Sequence, residues 1–366
     1  MTTSQPVDPT RAGNHFFSNY PAYSFWDAEQ LPEVQRVLAT APEVEKPLIL
    51  YIHIPFCRQR CEFCFFKVYT GKSSSEVRFY LDALLAELEA AARAPYLAGR
   101  CPDYVYFGGG TPSYLSSDQL SELFGAIQTH MGWDGVKEVA FECEPGTVKE
   151  GKLQRLRDLG VTRLSLGVEH YDDEVLEIAG RAHRQNEIYA AFEAARKAGF
   201  PQINIDLISG MVGETEQGWQ DCIDRTLALN PDSITVYQME VPHNTTIYRK
   251  MQEGSEELAP VADWETKRRW VDEAFQALSM VASRWGAPIR CTGASRPASF
   301  TAIHSGTGRT CWALACPPSL ILEGYTCRTT PTWRLTSSQP LLARRRIGGP
   351  TPWTPKSAGA GCSYSR

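Results

Sequence analysis

The sequence predicts an α/β fold, a partial (β/α)6 barrel, on three observations. Six short apolar runs recur between residues 48 and 240, amphipathic segments separate them, and polar residues with chemical potential collect where the runs end. Parallel strands with helical crossovers give this alternation. A full eight-unit barrel takes about 250 residues, so six units in this span leave the barrel incomplete.

The strands are expected at Leu48–Ile54, Tyr104–Phe107, Glu138–Glu142, Arg163–Val168, Gln202–Ile208 and Ser233–Tyr237. Each is short and nearly continuous in apolar character, as buried parallel strands are. Between them, Val77 to Ala92 repeats Leu at helical spacing, and Ser116 with Gln119 forms a capping box ahead of Leu120, Leu123 and Phe124. The organisation is read as an N-terminal extension (1–44), the barrel (45–245), a helical continuation (246–286) and a basic tail of low order (287–366).

That tail holds nine Arg and one Lys against the single acid Glu323, and five of the eleven cysteines, without sustained helix or strand periodicity. Two readings stand. Either the reading frame shifts near residues 278–290, since GC-rich DNA read out of frame yields such mixtures, or the segment binds nucleic acid through neighbours such as Arg344, Arg345 and Arg346. Resequencing the coding DNA separates them.

For the whole chain, 366 residues, 43% apolar content and a net charge of −5 describe an ordinary globular protein, with no overall electrostatic reason to expect nucleic acid or an acidic membrane as partner. A small-molecule substrate fits better. The opening residues lack a basic start followed by an apolar run, and no stretch of about 18 apolar residues follows, so the chain is read as cytoplasmic. Thiols stay reduced there, so eleven cysteines point to metal or redox chemistry.

Three of them stand as C-x3-C-x2-C in Tyr51-Ile-His-Ile-Pro-Phe-Cys57-Arg-Gln-Arg-Cys61-Glu-Phe-Cys64, just after the first strand. Soft thiolates suit iron–sulfur clusters, and three leave one iron of a four-iron cluster open to a further ligand. Zinc with His53 as fourth ligand is the competing reading. Cys101, Cys143 and Cys222 stand apart and read as small buried hydrophobes.

The motif, with Phe63 in its aromatic slot, resembles that of the radical S-adenosylmethionine superfamily. The resemblance implies a [4Fe–4S] cluster on Cys57, Cys61 and Cys64 whose open iron chelates S-adenosylmethionine, which one electron cleaves to methionine and a 5′-deoxyadenosyl radical. The glycines and threonine of Gly108-Gly109-Gly110-Thr111-Pro112, after the second strand, resemble the methionine-binding element. Without side chains, such a turn lets backbone N–H groups approach a ligand.

Glu142 in FECEPGT, Glu169 in LGVEHY, Asp206 in INIDLISG and Arg181 in GRAH lie at or after later strand ends, where barrels collect catalytic groups. Carboxylates can bind ribose hydroxyls or an ammonium, and Arg181 can fork onto a carboxylate; buried ion pairing is the structural alternative. Their order resembles that of the oxygen-independent coproporphyrinogen III oxidases, in which positions matching Glu142, Arg181 and Asp206 contact S-adenosylmethionine and one matching Tyr51 lies beside the sulfonium. Phe66 and Glu169 depart from it, standing where that family often has a cysteine and a glutamine, and Val212 replaces a proline in DLISGMVGET. His170 and His183 receive no catalytic role.

The resemblance therefore implies oxidative decarboxylation of a porphyrinogen propionate, with flavodoxin or ferredoxin as reductant. Two alternatives remain open: a related radical methyltransferase or cyclopropanase using two S-adenosylmethionine molecules, and a haem chaperone. An out-of-frame tail would replace the family's C-terminal domain and could leave this chain inactive.

Overall fold

The computed structural model describes residues 27–43, 46–241, 245–253 and 261–285, together with 290–294, 310–314, 320–322 and 325–327. Residues 1–26 of the predicted extension, and Arg344, Arg345 and Arg346 of the tail, lie outside the described residues.

Six parallel strands form the centre: β1 (Leu48–Ile54), β2 (Tyr104–Gly109), β3 (Glu138–Cys143), β4 (Arg163–Glu169), β5 (Gln202–Ser209) and β6 (Ser233–Gln238). They neighbour one another in chain order. Helical crossovers follow β1 to β5: α1 (Leu31–Leu38) precedes the sheet, then come α2 (Ser74–Ala92), α3 (Ser117–Met131), α4 (Glu150–Asp158), α5 (Asp173–Ile178), α6 (Gln185–Ala198) and α7 (Glu216–Leu229). After β6 come α8 (Thr246–Gln252) and α9 (Trp264–Trp285). Consecutive strands meet in parallel register, with Ile52 opposite Phe107 and Phe107 opposite Phe141.

One side of each strand is apolar and packs on the helices. Leu50, Ile52, Val105, Phe107, Phe141, Leu164, Ile203, Ile205, Ile234 and Val236 are buried in one core with Leu81, Leu84, Leu120, Leu123, Phe124 and Ile127 of α2 and α3. Spacing of three and four residues puts those helix positions on a single face.

The other side corrects the expectation of continuously apolar strands. Arg163, Ser165, Asn204, Asp206, Ser233 and Thr235 form a polar ladder inside the partial barrel, buried at Ser165, Asn204, Ser233 and Thr235. Asn204, fully buried, donates to Ser165 and Asp206 and accepts from Arg163, Ser233 and Thr235. A buried polar group is tolerated when its partners are inside too, and these hold Asp206 at the strand end.

Helix starts follow their caps. Ser73 and Glu76 close a capping box at α2, and Ser116 and Gln119 close the predicted one at α3. Replacing Ser116 by alanine should cost about 1 kcal/mol in denaturant unfolding, because the Gln119 N–H in the first turn loses its capping acceptor. α9 lies over β5 and β6: the Trp219 indole donates to the Trp270 carbonyl at 2.9 Å and the Lys267 ammonium to that of Met239 at 3.1 Å. Gly210 must be glycine, since its φ is +83° and a Cβ there would lie 2.5 Å from the Lys267 stem.

Within 287–366 the described pieces are β7 (Arg290–Ala294) beside β6, β8 (Thr310–Leu314) beside β1, and β9 (Leu320–Leu322) paired with β8 and with β10 (Tyr325–Cys327). Edge pairing uses backbone groups and needs no alternating side-chain pattern. Among the described residues no helix is long and apolar enough to cross a membrane.

Candidate active site

The sequence places its chemistry at the C-terminal strand ends, and there the structure opens a cavity of about 310 Å³. Cys57, Cys61, Cys64, Phe63, Gly109, Gly110, Thr111, Glu142, Glu169, Arg181 and Asp206 all line it. Gly108 and Tyr51 lie behind this wall. A Cβ on Gly108 would stand 3.1 Å from the Glu142 carboxylate, so its missing side chain makes room for that acid. Tyr51 stacks on Tyr106 at 5.9 Å, and its hydroxyl meets His53 Nδ1 at 2.9 Å.

The cysteine loop leaves β1 and is tied at several points. The Cys57 N–H donates to the Tyr69 carbonyl, that of Tyr69 to Pro55 and that of Glu62 to Ala179. Arg58, between the first two cysteines, forks onto Glu144 at 3.1 and 3.2 Å and donates to the Ala182 carbonyl. Glu144 is met from the other side by His183 Nδ1 at 3.3 Å, while His183 Nε2 faces the Val168 carbonyl at 3.1 Å. Burial alone would raise Glu144, but His183, Arg58 and Arg181 outweigh it and hold this carboxyl below its usual range. His183 thus has a structural place, and Arg58 and Glu144 were not singled out by sequence. Their spacing of 86 residues gives no local signal.

Burial pushes the Cys57 thiol up to about 11 and that of Cys64 to about 12. Thr111 Oγ1 donates to Cys57 Sγ and Arg181 Nη1 to Cys61 Sγ, each at 3.4 Å. Among the described residues, no three His, Cys, Asp or Glu side chains gather as ligands of one metal ion. Thiolates on a four-iron cluster each take a different iron and stand wider apart than ligands of a single ion, so the all-sulfur set around this cavity fits a cluster. His53, the fourth ligand of the zinc reading, is absent from the residues lining the cavity; buried, it is lowered to about 4.

Gly110 has space for nothing more: a Cβ would stand 2.9 Å from the Phe56 carbonyl and 3.0 Å from Cys57 Sγ. Gly110→Ala should therefore push the cysteine loop outward, costing about 1–3 kcal/mol and lowering the iron bound after reconstitution severalfold. Gly109 is held at φ +113° over the His53 ring, 2.6 Å from where its Cβ would be.

Opposite the cysteines sit three half-buried acids. Burial raises Glu142 to about 7, although the Tyr106 hydroxyl donates to it. Burial also raises Glu169 to about 7, against the pull of Arg181 at 3.6 Å, and raises Asp206. Arg181 donates to the Gly167 carbonyl at 2.6 Å, and its Nε has no partner among the described residues. The arrangement thus offers carboxylates to hydroxyl or ammonium groups and a guanidinium edge to a carboxylate. Tyr106 was missed by sequence reasoning because it lies within an apolar strand run.

Residues 51–226 match the radical SAM superfamily. The oxygen-independent coproporphyrinogen III oxidase of Escherichia coli (strain K12) is 35% identical over 233 residues, 63% of this chain and 50% of that protein. The heme chaperone HemW of Bacillus subtilis (strain 168) is 36% identical over 214 residues, 57% of this chain and 55% of that one. The solved coproporphyrinogen III oxidase (HemN) from Escherichia coli superposes with a TM-score of 0.64 at 29% identity, covering 72% of this chain and 59% of its own. The chain spans about half the length of the curated relatives it matches. The motif, the barrel and these likenesses together support a HemN/HemW-like radical S-adenosylmethionine family for this chain, and that superfamily's cofactors are a [4Fe–4S] cluster and S-adenosylmethionine.

Proposed function

We propose that the chain is a coproporphyrinogen III oxidase-like enzyme in which Cys57, Cys61 and Cys64 hold the cluster and the facing acids hold S-adenosylmethionine. The observation that carries this reading is that all three thiols share one cavity with Glu142, Glu169, Asp206 and Arg181. When bound, the cluster supplies the electron that cleaves S-adenosylmethionine to methionine and a 5′-deoxyadenosyl radical.

The chain's own residues bind and orient. Glu142, Glu169 and Asp206 accept hydrogen bonds from amino and hydroxyl groups, and their clustered negative charge favours a cationic ligand. The Arg181 edge pairs with a carboxylate, and Gly109 and Gly110 let the backbone come close. Phe63 and Phe66, with Met239 and Ile208, give the cavity an apolar side that keeps water from a reactive species. The reaction proposed is removal of hydrogen from a porphyrinogen propionate, loss of carbon dioxide and passage of one electron to an acceptor, leaving a vinyl group; a flavodoxin or ferredoxin supplies the reducing electron.

A second reading, delivery of haem as a chaperone, is supported by the likeness to HemW. The test is anaerobic reconstitution with iron and sulfide, then S-adenosylmethionine, reductant and coproporphyrinogen III. Deoxyadenosine with a vinyl product supports the oxidase, S-adenosylhomocysteine with a methylated product the methyltransferase, and haem binding without deoxyadenosine the chaperone.

A further inference from the structure

The approach of Glu169 to the cavity is unusual in its backbone. Its φ is +64°, one of two positive values among non-glycine residues described, and the pairing of β4 with β5 slips between Gly167 and Glu169. The His170 N–H donates back to the Val168 carbonyl at 2.8 Å, which makes Glu169 the centre of a γ-turn in the rare, strained hand. Such a turn persists only where its surroundings over-determine it.

The next side chain supplies that restraint. His170, 1% exposed, accepts the Asp172 N–H on Nδ1 at 2.9 Å, so the proton of the neutral ring lies on Nε2. Nε2 stands 3.1 Å from Glu214 Oε1, itself 0% exposed at its side chain, a polar contact outside hydrogen-bond geometry that leaves both atoms without a hydrogen-bond partner among the described residues. Glu214 Oε2 accepts the N–H groups of Gly210 and Met211, the turn that follows β5. One buried contact therefore joins the ends of β4 and β5 behind the cavity wall.

We infer that the His170–Glu214 pair is a positioning device that holds Glu169 in its left-handed turn with its carboxylate in the cavity. Neither residue touches the cavity; both act through Glu169. The inference rests on the reading of Glu169 as a contact to S-adenosylmethionine.

The test is equilibrium dialysis of S-adenosylmethionine against the reconstituted full chain, with iron content and thermal midpoint measured in parallel. Glu169→Ala and His170→Ala should each weaken binding about tenfold, in the range typical for loss of a supporting partner, with iron content unchanged. The double variant should bind no more weakly than Glu169→Ala alone, an epistasis that general destabilisation does not produce. Glu214→Gln, which turns an NH₂ group toward either the Nε2–H or the loop amides, should repeat the result if His170→Ala fails to fold. Wild-type affinity in Glu169→Ala would overturn the contact and the inference with it. Weakened Glu169→Ala beside unaffected His170→Ala and Glu214→Gln, or multiplicative losses in the double variant, would overturn the inference alone.

Discussion

Cys61→Ala, reconstituted anaerobically, should return iron and sulfide at background and form no 5′-deoxyadenosine from S-adenosylmethionine and reductant. The effect is total because a three-thiolate site has no spare ligand: each sulfur serves one iron, and the fourth is kept open. Cys61 is also the thiol that accepts from Arg181 at 3.4 Å, so its removal frees a buried guanidinium that faces the acids. Cys101→Ala is the control, since Cys101 lies outside the cavity, with its thiol against the Pro102 carbonyl. Both variants should keep the far-ultraviolet circular dichroism of the parent. Iron and deoxyadenosine at parental levels in Cys61→Ala would refute the assignment of the cluster.

Strand by strand, the sequence reading of the barrel errs in one direction. The expected end at Phe107 becomes Gly109, that at Glu142 becomes Cys143, that at Val168 becomes Glu169, and Ile208 and Tyr237 become Ser209 and Gln238. Most of the omitted residues are glycine or polar types that do not continue an apolar run, and four of them, Gly109, Cys143, Glu169 and Gln238, border the cavity. Tertiary pairing carries the strands past the point where local preference stops, because the ends must deliver side chains to the ligand. The cluster motif and the three acids were legible because spacing or position at a run's end announces them. Tyr106 beside Glu142, Arg58 beside Glu144 and the His170–Glu214 contact were not, since each joins segments far apart in the chain and leaves no period in the sequence. The strand interiors misled for the opposite reason: Ser165, Asn204 and Thr235 are small enough to sit among β-branched neighbours without breaking an apolar run, yet they build the polar ladder under Asp206.

The charge state of Glu169, beside Asp206 at the cavity, leads to the second large effect. In the unfolded chain Glu169 ionises near its ordinary 4.5, whereas in the folded, ligand-free protein burial holds it near 7. Between these values the folded state binds the extra proton, so this group makes stability fall as pH rises from about 4.5 to 7, and the loss persists above 7. The displacement corresponds to at most about 3 kcal/mol. Glu169→Gln, which keeps shape but not charge, should therefore be more stable than the parent at pH 8 by up to about 3 kcal/mol, with the advantage gone at pH 4.5. Denaturant unfolding of the cluster-free proteins at the two pH values measures this. His53, lowered to about 4 by burial, contributes the opposite slope as its stability is lost with falling pH through 6.5 to 4, but it is common to both proteins and cancels in the difference. Glu142 relaxes as well, because the neighbouring negative charge is one of the causes that raise it. The same substitution should weaken S-adenosylmethionine binding, since a neutral amide attracts an ammonium or sulfonium less than a carboxylate does. Stability gained with affinity lost is the signature of acids crowded together for a cationic ligand; a variant less stable than the parent at pH 8 would mean that Arg181 already neutralises Glu169 in the folded chain.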